Sequence, residues 1–454
     1  MAGESAEAAG GGAEIFEGII LEEIRKELNM IRILQISDIH WKDNLGANDA
    51  YKDIRDGMID DLKCYCEAEN ASFDHILICG DIAFSGEKTQ YTKAEKFIKK
   101  LCKTVKCKES EVYLIPGNHD KKRESAPKTV RNLINKAVGV KDFGDDMLED
   151  WIQNDFGSLR MMFMPFKDFA DFSQKFDCVE PLMMRCTDEK ATDSYDEDEH
   201  TMFWKEDISP DLNGYTVRLY GLNSAFNCDK DDWDGLDETK GHKIFLPNLA
   251  YRNAPHEEGV VNILMAHHPT SFLVNGKVIQ EYLDKHYQIQ FFGHVHRAKS
   301  NCKNGCVHVF SGALQPDGPV QQTGPYRPVF NMVELDIVKQ DDQTDLLNVK
   351  LQVHVWTDGS FLINKDESDL YKVELKHNRW KGGLKVMSQT TLPDGITKRD
   401  IRRKMIEKPS ARTIINKMKP GFYDPKVPSY YNITRFMDEI SKENKWVDLW
   451  NEIK

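Results

Sequence analysis

The sequence lacks the features of a membrane or secreted protein. It has no apolar run of the roughly 18 to 20 residues that a membrane-spanning helix needs. Residues 1–14 are rich in Ala, Gly and Glu and lack the basic region and apolar core of a secretory signal. The ten cysteines are dispersed and include no Cys-x-x-Cys pair. We therefore expect a cytoplasmic protein with reduced cysteines and no membrane association.

The composition is that of a soluble globular protein, with 40% hydrophobic and 30% charged residues among 454. This length suits one large α/β domain with appendages, or two to three domains. The net charge of −13 is unevenly spread, because residues 371–454 carry 19 Lys and Arg against 10 Asp and Glu. That basic end suggests a polyanionic partner, or cations that pair with the acidic remainder of the chain.

Apolar strands alternate with helical segments in the first third of the chain. Strands are predicted at 31–36, 75–79 and 112–115, with helices between them at 51–69 and 92–105. This alternation indicates βαβ units and a largely parallel core. Residues 121–212 interrupt the rhythm and are predicted to form a helical insertion with an acidic loop.

Strands return in the second half, followed by a less regular end. The predicted strands are 216–222, 260–266, 289–292, 307–311 and 329–337, then a hairpin of 349–356 and 361–363; a helix is predicted near 278–285. Further helices are predicted at 15–28, 398–407 and 433–453. The sequence thus divides into an extension, 1–29, a main domain, 30–340, and a C-terminal region, 341–454, comprising the hairpin and a basic helical extension.

Five polar motifs stand at the ends of predicted strands, and each alone could be an ordinary turn. They share Asp, His and Asn side chains and lie at the carboxyl ends of strands, where open α/β sheets bind ligands. The motifs are Asp38-Ile39-His40, Gly80-Asp81, Gly117-Asn118-His119-Asp120, His267-His268-Pro269 and Gly293-His294-Val295-His296.

The donor atoms in these motifs favour particular metals. Carboxylate, imidazole and amide groups without thiolate suit Mn²⁺, Fe²⁺ or Zn²⁺. So many donors exceed one tetrahedral site, but they suffice for two ions that share a carboxylate. Two ions about 3.5–4 Å apart can clamp a phosphoryl group and activate water.

The motifs and their order resemble those of the calcineurin-like metallophosphoesterase superfamily over residues 31–337. The resemblance implies an αββα four-layer sandwich of mixed sheets, with 121–212 as a helical cap and 341–454 as an extension. It implies two divalent ions, with Mn²⁺ expected and Fe²⁺ or Zn²⁺ as alternatives. It further implies three ligands for each ion and one bridging carboxylate: Asp38, His40 and His296; Asn118, His267 and His294; and Asp81.

Three neighbouring residues receive other roles from the resemblance. His119 would stabilise the phosphoryl oxygen or protonate the leaving alkoxide, and Asp120 would orient its ring. His268 would lie outside the ligand set and contact substrate. The attacking group implied by the family is a hydroxide that bridges the two metals.

The segment from Gly80 to Gly86 lacks the Arg found in relatives that dephosphorylate Ser and Thr. The motifs are instead similar to those of class III cyclic-nucleotide phosphodiesterases, and the family's DNA-repair nucleases share the ligand set. We therefore expect a phosphodiesterase acting on a nucleotide or small phosphodiester. The alternatives are a nuclease whose basic residues 371–454 hold the phosphate backbone, and a non-catalytic interaction module.

Overall fold

The structure is a computed structural model that describes most of the chain between residues 30 and 454. The described segments are 30–43, 51–123, 143–189, 201–229, 243–252, 254–316, 326–340, 344–376, 395–407, 411–425 and 429–454, with positions 49, 191, 232, 392 and 393. The helix predicted at 15–28 lies outside the described residues.

Thirteen strands are present in these segments. In chain order they are β1 (Ile31–Ile36), β2 (His75–Cys79), β3 (Val112–Ile115), β4 (Phe203–Leu212), β5 (Tyr215–Leu222), β6 (Val260–Ala266), β7 (Ile289–Phe292), β8 (Ala298–Lys303), β9 (Cys306–Ser311), β10 (Val329–Val338), β11 (Thr344–Thr357), β12 (Ser360–Ile363) and β13 (Asp369–Lys376).

The same segments contain twelve α-helices. They are α1 (Lys52–Ala68), α2 (Lys88–Thr104), α3 (Phe143–Asn154), α4 (Phe156–Phe163), α5 (Lys167–Ser173), α6 (Pro181–Thr187), α7 (Asn248–Tyr251), α8 (Gly276–His286), α9 (Lys398–Glu407), α10 (Ala411–Met418), α11 (Ser429–Glu443) and α12 (Trp446–Ile453). None of the described helices is long and apolar enough to cross a bilayer.

The first sheet has the order β12-β11-β10-β1-β2-β3, and β13 also pairs with β11. Strands β1, β2 and β3 are parallel, whereas β10 runs antiparallel to β1. All six residues of β1 are buried, because a strand covered on both faces has no solvent side. Four of its six residues are apolar, and the buried Arg32 and Gln35 are hydrogen-bonded to Glu334 and Asn331.

The second sheet has the order β4-β5-β6-β7-β9-β8, with β5, β6, β7 and β9 parallel and an antiparallel strand at each edge. The two sheets contact each other where β9 meets β1 and β10. Gln35 of β1 donates to the hydroxyl oxygen of Ser311 on β9, and Asn331 of β10 donates to the carbonyl oxygen of Ser311 at 3.2 Å. Helices α1 and α2 pack on the first sheet and α8 on the second. The predicted α/β fold with two mixed sheets is confirmed.

Most predicted strands and helices are confirmed within a few residues, and the differences have local causes. Helix α2 begins at Lys88 instead of 92, because Glu87 and Gln90 form a capping box. The helix predicted at 433–453 is split into α11 and α12, since Asn444 adopts a left-handed backbone with φ of 52°. Asparagine tolerates this conformation, which ends many helices.

The predicted helical insertion contains α3 to α6, but residues 203–212 at its end form strand β4. Buried Trp204, Ile208 and Leu212 recur at even spacing on this edge strand, separated by polar residues. Strands β11 and β13 belong to the first sheet. The domain boundaries stay a prediction.

Helices α9 to α12 surround a small hydrophobic core of their own. Its fully buried residues include Ile401, Met405, Ile415, Phe436, Ile440, Trp446 and Leu449. The sheets and the helices of the insertion share a second, larger core. The C-terminal helices are therefore a packed unit and not a single extended tail.

Arg399 of α9 connects this unit to the first sheet. Its side chain is buried, and the guanidinium carbon lies 3.8 Å from the centroid of the Tyr113 ring. The same guanidinium donates to the carbonyl oxygens of Val112, at 2.8 Å, and Phe176. A buried cation held by a ring face and two carbonyls fixes the position of the helix on β3.

Candidate metal centre

The loops after β1, β2, β3, β6 and β7 converge at one edge of the paired sheets. Asp38, His40 and His296 form the first group of side chains brought together there. The Nε2 atom of His296 lies 3.1 Å from Asp38 Oδ1 and 3.2 Å from the Nε2 atom of His40. His40 Nε2 lies 3.8 Å from the same carboxylate oxygen.

Asn118, His267 and His294 form the second group. The Oδ1 atom of Asn118 lies 3.1 Å from His267 Nε2 and 3.2 Å from His294 Nδ1. The rings of His267 and His294 meet edge to face, with centroids 5.3 Å apart. The residues of this group come from three loops that are far apart in the sequence.

The carboxylate of Asp81 lies between the two groups. Its Oδ2 atom is 3.8 Å from His40 Nε2 and 3.3 Å from His267 Nε2. Its Oδ1 atom accepts the backbone N–H of His119 at 2.8 Å. Asp81 is thus within reach of both groups, which is the position that the sequence predicts for a shared carboxylate.

The donor chemistry of the site fits cations. His267 Nδ1 lies 2.8 Å from the carbonyl oxygen of Cys79, so this nitrogen carries the proton and donates it. Its Nε2 atom faces the oxygens of Asn118 and Asp81 at 3.1 and 3.3 Å, and it is a further acceptor there unless it binds a proton or a metal ion. Acceptors this close repel one another unless positive charge lies between them. The residues could therefore hold metal ions.

Five of the seven predicted ligands adopt the left-handed backbone conformation that is uncommon for residues other than glycine. Their φ angles lie between 47° and 68°, and they are Asp38, His40, Asp81, His294 and His296. Each such residue costs about 1–3 kcal/mol, and such residues cluster at functional sites. The surrounding strands therefore hold these five side chains in place against local backbone strain.

Glycines precede three of the predicted ligands and allow the loops to approach closely. A β-carbon on Gly117 would lie 2.1 Å from Asp81 Oδ1, and one on Gly293 would lie 2.6 Å from the carbonyl oxygen of Cys79. Gly80 also has a positive φ of 86°. Any side chain at these positions would separate the loops that carry Asp81, Asn118 and His294.

The protonation states of the site follow from burial and neighbouring charge. Burial lowers the pKa of His40 to about 4 and that of His294 to about 3. Burial also lowers the pKa of His267, but the Asp81 carboxylate outweighs it and brings the value to about 9. The pKa of Asp81 lies well below its usual value despite burial, because His267 and His119 stabilise its charge. Neutral His40 and His294 at pH 7 are suited to bind metal.

His119 lies beside the first group, with its ring centroid 4.6 Å from that of His40. Its Nδ1 atom lies 2.7 Å from the carbonyl oxygen of Phe84. Arg123 Nη2 lies 3.2 Å from the same nitrogen and 3.5 Å from Nε2. Neither Phe84 nor Arg123 is evident from the sequence, because a carbonyl contact leaves no residue signature and Arg123 stands outside the motif.

Asp120 makes contacts other than the predicted one with the His119 ring, whose Nδ1 atom faces the Phe84 carbonyl. The Asp120 carboxylate is fully buried and accepts hydrogen bonds from the loop backbone and one phenol; its donors are the N–H groups of Ile82, Ala83 and Gly117, at 2.9 to 3.1 Å, and the hydroxyl of Tyr91 at 3.0 Å. Burial and the charge of Asp81 raise the pKa of Asp120 to about 7. This carboxyl group instead ties together the loops that follow β2 and β3.

His268 lies beside His267 and His294, and the three side chains have donor atoms within 4.8 Å of one another. Its side chain is 1% exposed, and its Nδ1 and Nε2 atoms lie 2.9 Å from Ser224 Oγ and 3.7 Å from Cys228 Sγ. Its ring packs 4.5 Å from that of His294. The ring packs against the predicted ligands, and its contact with substrate stays a prediction. His268 supports His294.

The sequence and fold resemble proteins of known family. A sequence profile described as calcineurin-like phosphoesterase matches residues 31–298. The uncharacterized metallophosphoesterase-like protein YydB of Bacillus subtilis (strain 168) is 22% identical over 297 residues. That alignment covers 63% of this chain and 54% of YydB, so the chain spans about half the length of this relative.

Solved structures are also similar. The Plasmodium protein titled "GAP50 the anchor in the inner membrane complex" is 11% identical, with 77% of this chain and 90% of that chain covered and a TM-score of 0.37. A putative 5'-nucleotidase from Staphylococcus aureus is 12% identical, with 74% and 56% covered and a TM-score of 0.35. The profile match over more than half of the sequence shows that the chain belongs to the calcineurin-like phosphoesterase family, a family of phosphoric ester hydrolases.

Proposed function

We propose that this protein is a phosphodiesterase that depends on two divalent metal ions and acts on a nucleotide or another small phosphodiester. The observation that carries the proposal is the convergence of the seven side chains from five loops. Donor atoms lie within 4.8 Å of one another in the group of Asp38, His40 and His296 and in the group of Asp38, Asp81 and His267. Asn118 Oδ1 lies 3.1 Å from His267 Nε2 and 3.2 Å from His294 Nδ1. Family membership alone leaves open whether the substrate is a monoester, a small diester or a nucleic acid.

In this proposal Asp38, His40 and His296 hold one ion, and Asp81 is shared. The second ion is held by Asn118, His267 and His294. Nitrogen and oxygen ligands without thiolate favour Mn²⁺, with Fe²⁺ and Zn²⁺ as alternatives. Two such ions supply charge neutralisation at the phosphoryl group and lower the pKa of water.

The side chains outside the ligand set act on the substrate itself. His119 presents Nε2 toward the site because Nδ1 is occupied by the Phe84 carbonyl. From there the ring, when it carries a second proton on Nε2, would stabilise a phosphoryl oxygen or give that proton to the leaving alkoxide. The guanidinium of Arg123 next to this ring offers further donors for a phosphoryl oxygen.

The nuclease alternative loses support from the placement of the basic residues. Arg402 pairs with Asp177 at 3.1 Å, and Arg403 pairs with Glu109 at 2.5 Å. Arg399 is buried against Tyr113. These three of the 19 cations in residues 371–454 are engaged by the body of the protein, so they are not available to a phosphate backbone.

The experiment is a substrate panel on the Mn²⁺-loaded protein. We expect bis(p-nitrophenyl) phosphate and cyclic nucleotides to be hydrolysed at least about tenfold more efficiently than p-nitrophenyl phosphate, and we expect EDTA to abolish turnover. Preference for the monoester would contradict the diesterase assignment. A metal-loaded protein with no turnover on any phosphoester would favour a non-catalytic interaction module.

Salt dependence tests the nuclease alternative. Binding that relies on several phosphate contacts weakens by about 10³ to 10⁵ between 50 and 200 mM salt. We expect kcat/KM for the small diester to change less than about twofold over this range, because few phosphate charges are involved. Efficient cleavage of single-stranded DNA with a steep salt dependence would instead support the nuclease.

A further inference from the structure

A cavity of about 620 Å³ opens between the helical insertion and Lys122, which follows the loop that carries His119. Its wall combines cations with sulfur-containing and other apolar side chains; these are Lys122, Arg160, Met161, Met164, Pro165 and Lys167. Met161 is 47% exposed, although its neighbour Met162 on the same helix is buried in the core. The large exposed thioether lies at the cavity.

The cavity is directly connected to the loop that carries His119. Lys122 follows His119 by three residues, a separation of at most about 11 Å along the chain. The backbone N–H of Lys122 donates to the carbonyl oxygen of Pro165 at 3.0 Å. A group attached to a phosphate at the metal centre could therefore extend into this cavity.

Arg160 differs from the other cations of the cavity in its pairing. Lys122 pairs with Asp168 at 2.8 Å, and Lys167 pairs with Asp171. In the described part of the chain the half-buried Arg160 guanidinium has neither a hydrogen-bond nor an ion-pair partner. Its charge and flat face remain available to a ligand.

We propose that this cavity binds an aromatic ring system of the substrate, an inference that rests on the proposed function. The ring would belong to the ester group that stays on phosphorus when the diester is hydrolysed. A guanidinium stacks on aromatic faces, and a thioether makes favourable contacts with ring edges. Arg160, Met161 and Met164 supply these groups together. An aliphatic chain would gain only from the methionines and Pro165, and it would leave the guanidinium beside apolar surface.

Four p-nitrophenyl phosphodiesters that differ in the second ester group test the proposal. The second group is methyl, decyl, 1-naphthyl or thymidine-5′, and release of p-nitrophenolate is measured in each case. We expect KM for the naphthyl and thymidine esters to be about tenfold below that of the methyl ester, the effect of one or two aromatic contacts. An equal advantage for the decyl ester would overturn the aromatic assignment.

Two variants locate the effect at the cavity. Arg160→Ala and Met161→Ala should each raise KM for the naphthyl ester about 3- to 10-fold, with kcat within about twofold and the methyl ester unaffected. Lys63→Ala is the control, since Lys63 is an exposed cation of α1 that pairs with Glu67. Unchanged KM in both cavity variants would overturn the proposal.

Direct binding separates this inference from the proposed function. Titration calorimetry in EDTA compares 1-naphthyl phosphate with methyl phosphate, which requires no turnover. Tighter binding of the naphthyl compound that is lost in Arg160→Ala supports the aromatic site, even if no diester is hydrolysed. Equal affinity for both compounds, with no naphthyl preference in KM, would overturn the aromatic site. The proposed diesterase activity would be unaffected by that result.

Discussion

The Nδ1 atom of His119 lies 2.7 Å from the backbone carbonyl oxygen of Phe84. Because a carbonyl only accepts, Nδ1 carries a proton and the chemistry of the ring is left to Nε2. The backbone therefore sets the tautomer of His119, where the sequence predicted that a carboxylate would do so. No side-chain substitution at Phe84 removes this carbonyl contact.

Replacing His119 with Ala should separate catalysis from metal binding. We expect both ions to remain bound, as measured by metal analysis of the purified protein, because His119 contributes no predicted ligand. Turnover of bis(p-nitrophenyl) phosphate should fall by about 10² to 10⁴, the contribution of a general acid. His256→Ala, at an exposed histidine, is the control. An empty site in His119→Ala would show that the ring is a ligand.

Replacing Asp81 with Asn should remove metal. The Asp81 carboxylate lies within 3.8 Å of His40 and within 3.3 Å of His267, so its charge serves both groups. We expect metal analysis to show less than one ion per chain and turnover to be lost with it. Asp60→Asn, at an exposed position of α1, is the control. Two ions retained in Asp81→Asn would contradict the shared position.

Replacing Asp120 with Asn should lower stability and leave the pH dependence of kcat unchanged. One amide nitrogen would face backbone N–H groups that now donate to the carboxyl, such as that of Ala83 at 2.9 Å. Unsatisfied buried donors cost about 1–3 kcal/mol each, so we expect the free energy of unfolding in urea to fall by about 2 kcal/mol or more. A shifted pH profile with unchanged stability would support the predicted orienting role.

Glu180 should make the protein less stable at alkaline pH. Burial raises its pKa to about 8, although Asn223 donates a hydrogen bond to it at 3.0 Å and lowers the value. Between the unfolded value near 4.5 and about 8 the folded state binds the extra proton. Stability therefore decreases by about 1.4 kcal/mol for each pH unit in this window, and levels off above it.

The Glu180→Gln variant tests this dependence. The amide keeps an acceptor for Asn223 and cannot ionise, so its advantage in unfolding free energy over the native protein should grow from pH 5 to pH 8. Urea unfolding at three pH values measures it, with Glu149→Gln at an exposed position as the control. A constant difference across this range would show that Glu180 already ionises near its ordinary pKa.

The sequence predicts the strands that carry the site because they are buried on both faces and end in polar motifs. For β1 and β6 the apolar run and the following Asp38 or His267 define both the strand and its carboxyl end. Strand β4 was not predicted, because it has no continuous apolar run. Polar residues such as Lys205 and Glu206 stand between its buried apolar residues. Edge strands are therefore the elements most easily missed.

The convergence of the motifs follows from strand direction, but the contacts among them do not follow from sequence. Parallel strands β1, β2 and β3 must present their loops at one edge. The partner of His119 is a main-chain atom of Phe84, which any residue could provide. Likewise, the burial of His268 beside His294 depends on packing of the second sheet. Such features require coordinates.

The insertion of Arg399 against Tyr113 has a consequence for any shortened version of the protein. Tyr113 lies on β3, the strand that leads directly to Asn118. Cutting the chain before α9 would uncover one face of the ring and remove the guanidinium that donates to the carbonyl of Val112. A truncated enzyme that is inactive would therefore report a damaged catalytic strand, and it would carry no information on whether the missing helices recognise substrate.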